Sequence, residues 1–137
     1  MKLIYPACFY PRDDRNGYTA TVPDLPGCVT QGDTLADAIY MAVDAASGWV
    51  LDELEDGKPA PKASALQDIH PETKDGFVNL IALDMDAYAE KYGSKSVRKN
   101  ITIPAWMDTQ ATQLGANFSS IMQQALEQFL TANRTRI

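Results

Sequence analysis

The chain has 137 residues, 45% of them hydrophobic, and a formal net charge of −6. That suits one ordinary domain, or a domain of about 90 residues with a small appendage. It holds no apolar run of about 18 residues and no leader with an apolar centre, so a membrane-spanning or exported protein is not expected and a soluble cytoplasmic one is.

Residues 2–10, KLIYPACFY, alternate loosely, with Leu3, Tyr5, Ala7 and Phe9 on one side. This reads as a strand, and Pro6 argues for an edge position or a bulge. Residues 12–17, RDDRNG, form a turn, and Asn16-Gly17 is a strong hairpin signal. YTATV (18–22) is the returning strand, Pro23 to Gly27 a rigid turn, and Cys28 to Gln31 a third short strand. Thr34 is a candidate helix N-cap, with Asp37 at capping-box spacing. Leu35, Ala38, Ile39, Ala42, Val43, Ala46, Trp49 and Val50 then recur at helical spacing as one apolar stripe, until Gly57 and Pro59 end the helix. Residues 58–75 are polar and irregular, with three prolines. FVNLIAL (77–83) reads as a fourth strand, DMDAYAEKY (84–92) as a short helix or turn, and Gly93 to Ser96 as a linker. The predicted order, strand–strand–strand–helix–strand, implies an α+β layer: a small, mainly antiparallel sheet with a helix on one face.

Cys8 and Cys28 lie in strand-like segments and read as buried, reduced thiols. His70 is the sole histidine, beside Pro71 and distant in sequence from both cysteines, so neither a zinc site nor a histidine-based nucleophile is expected. No cofactor is implied.

After the linker the character of the chain changes. Residues 1–93 hold 7 Lys/Arg against 16 Asp/Glu, a net −9, whereas residues 94–137 hold 5 against 2, a net +3. Two domains are expected, 1–93 and 94–137, with partners of opposite charge preference. In VRKNITIP (97–104), Val97, Ile101 and Ile103 point to one face of a strand and Arg98, Asn100 and Thr102 to the other. Lys99 falls, unexplained, on the apolar face. Pro104 fits the first turn of a helix carrying Trp106, Met107, Ala111 and Leu114. Gly115 suits a left-handed helix end, and Asn117 can cap a second helix with the stripe Phe118, Ile121, Met122, Ala125, Leu126 and Phe129, followed by the polar tail TANRTRI.

A lone half-apolar strand is a liability, and a unit this small buries little core alone. Both problems vanish if two chains pair these strands antiparallel and pack their helices, with Val97, Ile101, Ile103, Trp106, Leu114, Ile121, Ala125 and Leu126 as the dimer core. The outer face of that ribbon would show Arg98, Asn100 and Thr102, side chains able to bond base edges in a DNA major groove. The amides near Asn117 to Ser120, with the Ser119 and Ser120 hydroxyls, could hold a backbone phosphate. Taken alone, VRKNITIP reads equally as an edge strand whose polar side meets water; the helix, glycine and Asn-capped helix that follow favour DNA.

The stretch RKNITIPAWMDTQATQLGANFSSIMQQALEQFL resembles a ribbon-helix-helix DNA-binding module. The N-terminal part, through Gly17 to Ala20 and the run PDLPGCVTQGDTLADAI (23–39), resembles the HicB antitoxins. The resemblance implies a partial, degenerate ribonuclease H-like N-terminal fold without catalysis and neutralisation of a HicA-type messenger-RNA-cleaving toxin. It also implies repression of the chain's own operon by a homodimer, or higher oligomer, on operator double-stranded DNA. The residues that would contact the toxin are not identified by it. Two rival readings stand beside this one. An active ribonuclease H-like enzyme would gather Asp13, Asp14, Asp24, Asp33 and Asp37 around metal ions, yet each has a local turn or helix-start reason to be there. A stand-alone ribbon-helix-helix repressor would use the N-terminal domain to sense a small ligand.

Overall fold

The structure is a computed structural model and describes residues 1–13 and 16–134. Asp14 and Arg15 of the expected RDDRNG turn, and Thr135 to Ile137 of the tail, lie outside the described residues. The chain separates into two compact units, Met1–Lys95 and Ser96–Ile137.

The first unit holds strands β1 (Lys2–Pro11), β2 (Tyr18–Thr21) and β3 (Val29–Gly32), helix α1 (Leu35–Glu55), strand β4 (Phe77–Asp84) and helix α2 (Met85–Tyr92). The sheet order is β3-β2-β1-β4, and every neighbouring pair is antiparallel. This is the expected α+β layer. Tyr5, Ala7 and Phe9 of β1, Ala20 of β2, and Ile81 and Leu83 of β4 meet Ala38, Ala42, Ala46 and Val50 of α1 in the core. The three alanines let the helix lie close to the sheet. Leu35, at the start of the expected stripe, stays exposed.

The expected edge position for Pro6 is corrected by the topology, since β1 is interior. The reason Pro6 is tolerated there is local. The bond from Arg12 N–H to Gly17 C=O (3.0 Å) sets the parity of the β1–β2 ladder, so the main-chain groups of Cys8 and Tyr10, and by alternation of residue 6, face β2. β2 ends opposite Cys8, so the missing N–H of Pro6 points where no strand receives it.

Thr34 caps α1 through its Oγ1, which accepts from Asp37 N–H at 3.0 Å. Gly32 allows β3 to run against the first turn of the helix: a Cβ there would lie 2.2 Å from the Ala38 nitrogen. The irregular segment 58–75 contains a single 3-10 turn, Leu66–Asp68, and is tied down by side chains. Tyr5 Oη donates to Pro61 C=O (2.6 Å), and the Asp24 carboxylate accepts from Ser64 N–H (2.8 Å) and Oγ (2.6 Å). Glu72 N–H donates to Tyr10 Oη at 3.1 Å.

The second unit holds helices α3 (Ala105–Gln113) and α4 (Phe118–Ala132). Residues 97–103, expected as a strand, form no strand within the single chain. An extended segment needs a neighbour to receive its N–H and C=O groups, and no second strand exists among the described residues of this unit.

Candidate functional site

The second unit is built around one sharp reversal. Leu114 ends α3, and Gly115 follows at φ +69°. Gly115 N–H donates to Thr112 C=O and Ala116 N–H to Ala111 C=O, each at 3.0 Å, which closes the helix end in a Schellman arrangement. Asn117 then caps α4, its Oδ1 accepting from Ser120 N–H at 3.0 Å. The Ser120 amide is thereby occupied, which narrows the expected anion-holding group to the amides of Phe118 and Ser119, the first two of the helix and without intrahelical acceptors.

This hairpin of helices buries nothing fully: neither α3 nor α4 contains a buried residue. Its apolar side chains instead line an open groove of about 280 Å³ formed by Ile101, Ile103, Met107, Ala111, Phe118, Ile121, Met122 and Ala125. Of the expected dimer-core residues, Ile101, Ile103, Ile121 and Ala125 come together there. Val97 (86% exposed), Leu114 (88%), Trp106 and Leu126 lie outside it, all open to solvent. Arg98, Asn100 and Thr102 are exposed on the segment leading into α3, and Ser119 and Ser120 are exposed on the first turn of α4.

In the first unit the candidate carboxylates among the described residues do not assemble into a metal site. Asp24 is bonded to Ser64, and Asp37 sits in the first turn of α1. Among the described residues, no group of three or more His, Cys, Asp or Glu is placed to hold a metal ion. Asp14 lies outside the described residues. Both cysteines are free and buried, and burial pushes the Cys28 thiol above its ordinary value. Their separation from His70 in sequence misleads: segment 58–75 folds back so that His70 and Glu72 border the same hollow of about 290 Å³ as Cys8, Tyr10 and Cys28. No helix among the described residues is long and apolar enough to cross a membrane.

Periodicity did not single out Tyr40 and Met41. They lie off the buried stripe of α1 and are exposed, Tyr40 at 76% and Met41 at 44%. Two large side chains outside a helix's packed face were the available signal.

The described residues thus form an antiparallel sheet covered by one helix and a separate two-helix unit with its apolar side open. Residues 5–126 match the family described as the HicB-like antitoxin of bacterial toxin-antitoxin system, and the chain belongs to that family. It is 35% identical, over 105 residues, to an uncharacterized 14.9 kDa protein in the rep-hol intergenic region of Haemophilus phage HP1 (strain HP1c1), covering 75% of this chain and 74% of that protein. Its fold is similar to a chain of a toxin-antitoxin complex from Streptococcus pneumoniae, with TM-score 0.60, 24% identity, and coverage of 93% of this chain and 99% of that one. It is also similar to the crystal structure of the N-terminal domain of the Burkholderia pseudomallei antitoxin HicB, with TM-score 0.53 and 28% identity, over 60% of this chain and 99% of that domain. The family is one of antitoxins, not of enzymes.

Proposed function

We propose that this antitoxin binds and inhibits a HicA-type messenger-RNA-cleaving toxin through its N-terminal domain, the partial ribonuclease H-like layer of residues 1–93. Residues 94–137 act as a ribbon-helix-helix module that dimerises and represses the operon by binding operator DNA. The observation that carries the second half is the open apolar face of the second unit. Ile101, Ile103, Ile121 and Ala125 share a groove with no buried residue in either helix behind it. A 42-residue unit, Ser96–Ile137, gains too little from such packing to hold itself together alone. A second copy laid on the same face supplies both a cover for the groove and an antiparallel partner for residues 97–103. Pairing then fixes Arg98, Asn100 and Thr102 as one outward row per chain, with Ser119, Ser120 and the capped start of α4 beside the phosphates.

The acidic first unit suits a partner that itself binds RNA and is therefore basic. The test is co-purification with the product of the reading frame adjoining this chain's gene, which this reading requires to be a short basic protein, followed by a gel shift on the DNA upstream of the pair. A stable complex, and a shift by a dimeric species, are expected. A chain that stays monomeric at micromolar concentration and shifts no DNA would overturn the reading.

A further inference from the structure

The outer edge of β3 carries the next step. Because the main-chain groups of Cys8 and Tyr10 face β2, those of their partners Thr21 and Thr19 face β1. Thr21 and Thr19 stand opposite Val29 and Gln31 in the β2–β3 register. The N–H and C=O groups of Val29 and Gln31 consequently point away from β2, out of the sheet. β3 has neither proline nor lysine to block an incoming strand. At the opposite edge, the 3-10 turn Leu66–Asp68 packs against β4.

Beside the open edge, Tyr40 and Met41 of α1 border a hollow of about 480 Å³ that they share with Thr30, Gln31, Asp33 and Asp37. Tyr and Met are both enriched at protein interfaces, and Tyr gives large contact area at small entropic cost. The surrounding sequence has a single sign of charge: residues 16–57, which span β2, β3 and α1, hold eight Asp/Glu and no Lys or Arg. A second copy of this chain would set the same acidic surface against itself, which disfavours it as the occupant.

We propose that the β3 edge and the neighbouring Tyr40 and Met41 are where the toxin docks: a basic protein that adds one of its own strands to the sheet and sets Lys or Arg side chains against Asp33 and Asp37. This rests on the reading of the N-terminal unit as toxin-binding. Main-chain bonds to Val29 and Gln31 supply the pairing, the ring of Tyr40 supplies the apolar anchor, and the carboxylates speed encounter.

The experiment uses the full chain and, as probe, the product of the reading frame adjoining its gene, required by this reading to be a short basic protein, with hydrogen exchange and binding titration as readouts. On complex formation the Val29 and Gln31 amides should exchange more slowly. Tyr40→Ala should weaken binding at least tenfold, and Asp33→Lys should slow association by an amount that shrinks as salt rises. Leu80→Ser, on β4, should leave binding unchanged. If the unsubstituted chain binds, Tyr40→Ala binds equally well and both amides stay unprotected, this docking surface is wrong while the antitoxin reading stands. If the unsubstituted chain does not bind the basic protein at all, both fall. Protection of the two amides by raising the concentration of this chain alone would overturn the toxin as occupant in favour of self-pairing.

Discussion

Replacing Ile121 by alanine tests the proposed dimer where the groove is deepest in consequence. The side chain borders the groove and is 54% exposed in the single chain. Burying a whole isoleucine is worth about 1.5–3 kcal/mol, so covering the exposed half contributes about 1 kcal/mol per chain. An isologous interface presents the residue twice, which makes the loss on Ile121→Ala about 2 kcal/mol, or about thirtyfold in the dimer dissociation constant. The half already packed within the chain is lost in monomer and dimer alike and cancels from that constant. Sedimentation equilibrium over a dilution series reads it directly, with Gln123→Ala, which lies outside the groove, as control. Operator affinity should fall in step, because only the dimer offers a two-stranded ribbon. An unchanged dimer constant alongside full DNA binding would refute the assignment of this face to a second copy.

Arg98→Ala and Asn100→Ala should each cost about 1–3 kcal/mol in operator binding and relax base preference at one position, read by gel shift on single-base operator variants; unaltered affinity would remove the ribbon reading. Asn117→Ala deletes the 3.0 Å bond to Ser120 N–H and should destabilise α4 by about 1 kcal/mol, seen as earlier loss of helical signal on heating. Burial raises the ionisation of Cys28 above its ordinary 9.0, and of Tyr5 and Tyr88 above 10.0, with the Asp24 charge adding to the effect at Tyr5 and Asp44 at Tyr88. The folded chain therefore holds these protons more tightly than the unfolded chain. The stability they contribute is complete below pH 9.0 and drains away as pH rises through the raised values, so melting temperature should drop on the alkaline side; a rise there would contradict the burial argument.

Helix starts and turns were legible because their signals are local. Thr34, Gly57, Gly115 and Asn117 all sit where their side chain or backbone freedom is used: Thr34 and Asn117 accept cap bonds, and Gly57 and Gly115 have φ of +77° and +69°. The strand positions of β1 to β4 followed largely from alternation, whereas Gly17 closes the β1–β2 ladder by accepting from Arg12 N–H and does not sit in a two-residue Asn16-Gly17 turn. What the sequence hid was long-range. Pro6 argued for an edge, yet it tolerates an interior strand only because β2 stops opposite Cys8, which is a property of the neighbour and not of Pro6. The proximity of His70 to Cys8 and Cys28 depends on the path of segment 58–75, where no period exists to read. The free groups of Val29 and Gln31 could not be seen before the register of three strands was known.

The segment 97–103 is the case where sequence and single-chain structure part, and the disagreement has energetic content. Holding seven residues extended costs about 1–2 kcal/mol each in backbone entropy, and one chain alone offers no ladder bonds against it. On the proposed dimer reading, strand formation, burial of the groove and alignment of Arg98, Asn100 and Thr102 would form one cooperative event that needs the second chain. DNA binding should accordingly rise with the square of protein concentration below the dimer constant. Lys99 belongs to the same balance. Alternation sets it among Val97, Ile101 and Ile103, a costly place for an ammonium unless its stem lies along the apolar face and its head reaches the edge of the pair. In the single chain it is exposed and incurs none of that cost. The proposed dimer would have to offset it, and in that proposal the phosphate backbone beside the ribbon is the charge best placed to do so.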